Sequence, residues 1–160
     1  MNGGILPLLI LCLTAGLVLA MTRARAGWHG LGAMAVAALL ASMIPFGTAA
    51  TNAIFVGVWL SIIATALLVY LPHAWPRRWA LAAAVNAGGW AGALASLGGM
   101  RWGLALALLV GTVFVPGRWV VARGHDVAIK VVASWMIAVA ALALFVSMTP
   151  HPGYVPDHME

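Results

Sequence analysis

Residues 127–148 read VAIKVVASWMIAVAALALFVSM, an apolar run whose single charge, Lys130, lies about one turn from its start. A helix needs about 17 to 25 such residues to cross hydrocarbon. In water, a helix apolar on every side would have to be buried in the core of a large domain. The 160-residue chain offers no such core, because only 7% of its residues are charged and 64% are hydrophobic. A soluble protein carries about 25% charged residues. The run is therefore read as a membrane helix.

Five more runs have the same character: Ile5 to Met21, Trp28 to Pro45, Ala53 to Tyr70, Trp79 to Leu97, and Trp102 to about Ala122. The expected fold is all-α, a polytopic membrane protein of about six transmembrane helices joined by short loops. Residues 1–148 form one helical bundle, and residues 149–160 form a polar, Pro-rich outer tail. Pro116-Gly117 marks the fifth run as the one to break. Proline either ends that helix early or kinks it.

The net charge of +5 would suggest nucleic acid in a soluble protein, but here the basic residues sit between apolar runs. Arg23 and Arg25 follow the first run, Arg77 and Arg78 precede the fourth, and Arg118, Arg123 and Lys130 flank the junction of the fifth and sixth. Seven of the eight basic residues thus fall on one side of an alternating path, with Arg101 opposed. By the positive-inside rule that side is cytoplasmic. Both termini are then expected outside the cytoplasm, in a cell inner (plasma) membrane. Met1 to Leu6 lacks the basic side chains of a signal peptide, so the first run is kept as a membrane helix. Trp28, Trp75, Trp79 and Trp119 fall at the cytoplasmic interface and Trp102 at the opposite one, as amphipathic indoles prefer.

Polar groups at membrane depth are the candidates for chemistry. The three acids, Asp126, Asp157 and Glu160, lie in loops or the tail, which argues against proton transport through a membrane carboxylate. Asn86 is the most polar deep residue, accompanied by Thr14, Ser42, Ser61, Thr65, Thr112 and Ser134. Gly88, Gly92 and Ser96 recur at four-residue spacing beside Gly89, a stripe of small side chains that lets another backbone approach closely. One reading has Asn86 and this stripe packing helices. The other has them lining a substrate path, with the helix broken at Ala87 to Gly89 and its carbonyls freed for an ion.

Arg23, Arg25, Arg77, Arg78, Arg118 and Arg123 either set topology or hold anionic lipid head groups. In the tail, His151, Asp157 and His158 supply two imidazoles and a carboxylate of the kind that binds Cu or Ni. No histidine is placed to hold a haem between helices, and no resident cofactor is expected. Cys12, the only cysteine, excludes an intramolecular disulfide.

Three functions fit these residues. The foremost is a non-catalytic subunit, assembly factor or scaffold of a larger membrane complex. The alternative is a small homo-oligomeric transporter or channel with its path near Asn86. Behind both stands an enzyme acting on a lipid phosphate, although no glycine-rich phosphate loop or nucleophile elbow is present. The expected partners are membrane lipids, other membrane subunits or a second copy, and not nucleic acid.

Overall fold

The computed structural model describes residues 5–71, 77–98 and 101–149. The polar tail and its candidate metal ligands His151, Asp157 and His158 lie outside the described residues, as does the side chain of Arg77. Every regular element among the described residues is helical: α1 (Ile5–Ala20), α2 (Ala24–Ser42), α3 (Thr51–Leu67), α4 (Arg77–Gly98), α5 (Arg101–Gly111), α6 (Phe114–Ala122) and α7 (Asp126–Met148). Short 3-10 turns, Thr48–Ala50 and Leu68–Tyr70, extend α3 at both ends.

Four stretches are long and apolar enough to cross a membrane: Thr51–Tyr70, Arg78–Leu97, Gly103–Ala122 and Asp126–Met148. The third joins α5 and α6 across a local break. Helix α1 is apolar but has 16 residues, about 24 Å at 1.5 Å per residue. The outer surface supports the membrane reading, since Leu40, Leu109, Val131, Trp135, Leu142 and Phe145 are all exposed. A soluble monomer does not leave so many large apolar side chains in water.

The break between α5 and α6 follows from proline chemistry. Pro116 has no N–H to offer the carbonyl of Thr112, and its ring crowds that carbonyl. The chain responds by tightening a turn earlier: the N–H groups of Thr112, Val113 and Val115 donate to Leu109, Val110 and Thr112, each three residues back. The helix then resumes through Pro116 and Gly117, so the proline bends the fifth run without ending it.

Helix directions can be read from side-chain neighbours. A Cβ on Gly16 would lie 2.7 Å from the Gly111 carbonyl oxygen, and one on Gly117 would lie 2.9 Å from Ala20 Cβ. Residue numbers rise together, so α1 runs parallel to α5–α6. Gly88 and Gly92 face Met34 and Ala38 in the same sense, making α2 and α4 parallel. Ser61 meets Asn86 while Gly57 meets Trp90, so α3 and α4 are antiparallel. The Tyr70 hydroxyl donates to the Lys130 carbonyl at 2.7 Å, bringing the end of α3 to the start of α7. With α5 and α6 taken as one bent helix, these contacts match six segments that alternate in direction.

At the centre stands α1. Leu8, Leu11, Cys12, Ala15, Val18 and Leu19 are almost wholly enclosed by its neighbours. At the other extreme, α7 buries one narrow stripe, Ile129, Ala133, Met136 and Ala140, at alternating four- and three-residue steps. The remainder of α7 forms the outer wall.

Candidate functional site

The small residues of α4 divide between two faces. Gly88 and Gly92 look inward to α2, where an added Cβ would overlap the carbonyl oxygens of Met34 and Ala38. Hydrogen side chains at these two positions let the backbones touch, and the close neighbour belongs to the same chain. Gly89, about 100° further round the helix, is open, and a Cβ there would meet nothing within 4 Å. Ser96, near the end of α4, returns its hydroxyl to the Ala93 carbonyl at 2.8 Å. Helix α4 is unbroken through Ala87–Gly89, so its carbonyls there stay in the helix and are not freed for an ion.

Asn86 lies on the outer side of the α3–α4 seam and is exposed. Its Nδ2 donates to Ser61 Oγ at 2.6 Å, and its Oδ1 accepts from Trp90 Nε1 at 3.2 Å. The Trp90 ring in turn covers Gly57, where any Cβ would overlap the indole. The amide therefore pins α3 to α4 from outside the bundle. The other hydroxyls at depth mostly return to their own helix: Thr14 to Ile10, Ser42 to Leu39, Thr112 to Leu109 and Ser134 to Val131, at 2.6 to 2.8 Å. Such back-bonding satisfies the hydroxyl without a partner helix.

The basic end is gathered but its arginines do unlike work. Arg118 is half-buried and donates from its guanidinium to the Thr22 carbonyl, tying α6 to the turn after α1. Arg123 lies over Trp119, 3.4 Å from the ring centroid, a cation–π contact that leaves the charge at the surface. Arg23, Arg25 and Arg78 are exposed, and Arg25 lies inside α2 rather than in a loop. Lys130 pairs with Asp126 at 2.9 Å in the first turn of α7, where a carboxylate also complements the helix dipole.

Aromatic placement separates interface from interior. Trp28, Trp79 and Trp119 are exposed near the basic end, with Trp28 also set edge-on to Phe114 at 4.8 Å. Trp135 faces outward at mid-α7, 67% exposed, while Trp59 is enclosed at 3%. Among the described residues, Trp59 Nε1 has no hydrogen-bond partner, an orphan that sequence gave no signal for. No group of three or more His, Cys, Asp or Glu side chains gathers among the described residues.

No protein-family model, curated protein or solved structure matches the chain.

Proposed function

We propose that the chain is a non-catalytic subunit or scaffold of a membrane complex, crossing an inner (plasma) membrane six times with both termini outside the cytoplasm. The observation that carries this reading is how the α4 candidates divide. Gly88 and Gly92, the residues best suited to open a path inside the bundle, are closed against the backbone of α2. Asn86 is exposed at the α3–α4 seam, and the space beside Gly89 is open. A polar group and a glycine directed at neighbours in the membrane suit association between subunits better than passage through one. The six-pass topology draws support from the alternation of helix directions, and Gly27 and Gly30 near the start of α2 lie against Leu19 near the end of α1.

A second reading keeps the same outward face but places a substrate path there, between copies of a homo-oligomeric transporter or channel. It is favoured by the exposed Asn86 amide. Native mass spectrometry of the protein, extracted from its own membrane in mild detergent, separates the two. Other polypeptides at fixed stoichiometry are expected. Recovery of this chain alone, with solute flux in proteoliposomes that Asn86→Leu removes, would overturn the subunit reading in favour of the transporter.

A further inference from the structure

Asn86 stands nine residues after Arg77 in α4, about 13 Å along the helix at 1.5 Å per residue. That is near the middle of a hydrocarbon layer about 30 Å thick. The side chain is exposed there. A carboxamide has two N–H donors and an oxygen with two lone pairs. Among the described residues, the Ser61 hydroxyl accepts one N–H and the Trp90 indole N–H occupies one lone pair, which leaves one donor and one acceptor of this exposed amide without a partner there. Lipid tails cannot satisfy either, and unmet hydrogen-bonding groups in hydrocarbon are costly.

Gly89 supplies an independent observation one turn away. A helix-interior glycine is unfavourable relative to alanine, and natural helices use it where a backbone must come close. Gly88 and Gly92 have that reason within the chain; Gly89 has none, since its face is open. Positive φ does not require it either, because Gly124 alone among the described glycines has that conformation. Ala82, one turn before Asn86, is also small and exposed. The outward face of α4 thus has an underused amide flanked by side chains small enough to admit a second helix.

We infer that this face pairs with α4 of a second copy, about a two-fold axis along the membrane normal. Such an axis keeps both copies in the same orientation and sets each residue against its own counterpart at the same depth. A carboxamide is its own complement, so the free donor and acceptor of one Asn86 meet those of the other. Any different protein would need to bring a matched donor and acceptor to this depth. The pairing goes beyond the subunit reading and stands whether or not other polypeptides join the complex.

The test uses the full chain, fluorescently labelled and reconstituted in phosphatidylcholine–phosphatidylglycerol vesicles, with photobleaching steps counted as protein density falls. A reversible dimer is expected. Asn86→Leu should raise its dissociation constant about 3- to 30-fold, the range measured for polar contacts between membrane helices. Gly89→Leu should weaken it at least as much, while folding survives because the new side chain enters open space. Gly32→Leu provides the control, since Gly32 is an equally open glycine on α2; it should leave the dimer unchanged. Ala82→Cys should form a disulfide dimer under mild oxidation, with the buried Cys12 not contributing. A monomer at every density, a dimer indifferent to Asn86→Leu and Gly89→Leu, or equal weakening by Gly32→Leu would overturn the inference. So would loss of a different polypeptide on Asn86→Leu with no dimer formed, an outcome that would leave the subunit reading intact.

Discussion

At the scale of single residues, neighbouring glycines of one helix have opposite tolerances. Gly92 meets the Ala38 carbonyl and the Ala41 methyl, atoms fixed to the α2 backbone that cannot swing aside. Gly92→Leu therefore has to push α2 and α4 apart. Overpacking of this kind costs about 1 to 3 kcal/mol, and the loss of backbone contact along the pair adds to it. Gly89→Ala meets no atom, and alanine is the better helix former by about 1 kcal/mol, so the monomer should be unchanged or slightly stabilised. Unfolding in mixed micelles, followed by circular dichroism as sodium dodecyl sulfate replaces the mild detergent, compares the two. Equal midpoints for Gly92→Leu and Gly89→Ala would contradict the assignment of their faces.

At the scale of elements, most helices were legible because a membrane imposes a length on each apolar run and the arginines and prolines punctuate them. Ile5 to Met21 and Val127 to Met148 agree with α1 and α7 to within a residue. The expected start of the second run at Trp28 is a turn late, since Ala24 and Arg25 already belong to α2: arginine is a good helix former and does not by itself end a helix. That helix stops at Ser42, ahead of Pro45, whose ring disfavours helical backbone at the residue before it. Less legible was the fifth run, where Pro116 allowed either an end or a kink. The observed tightening across Thr112–Val115 accommodates the missing N–H. Because the strain is already relaxed, Pro116→Ala should change stability by about 1 kcal/mol or less, well below the roughly 3 kcal/mol that proline costs a regular helix interior. A gain of about 3 kcal/mol in the same micellar titration would show that the bend is held under strain. What the pattern could not reveal was which faces turn inward. Lipid is as apolar as leucine, so hydrophobic periodicity does not separate core from surface; the central place of α1 and the difference between closed Gly88 and open Gly89 emerge only from packing.

At the scale of the whole molecule, a bundle with four helices long and apolar enough to cross a membrane also has to seat α1 and α2. Helix α1 is about 24 Å long by its 16 residues, short of the hydrocarbon thickness, yet its neighbours enclose it from Leu8 to Ala20. A central helix contacts protein rather than lipid along most of its length, so it need not match the bilayer by itself. Its end is also tied to the basic side of the bundle, where Arg118 binds the Thr22 carbonyl, just as Tyr70 ties α3 to Lys130. These bonds place residues 22, 70 and 123 at one end, and the alternation of directions places Gly47, between α2 and α3, at the other. Six crossings with positive loops inside then require Thr22→Cys and Arg123→Cys to be modified by a membrane-impermeant maleimide only in inside-out vesicles. Gly47→Cys should react only in right-side-out vesicles or spheroplasts, and native Cys12, wholly buried, should give little background in either. If Thr22→Cys and Gly47→Cys reacted from the same side, α2 would not cross and the six-crossing path would be overturned.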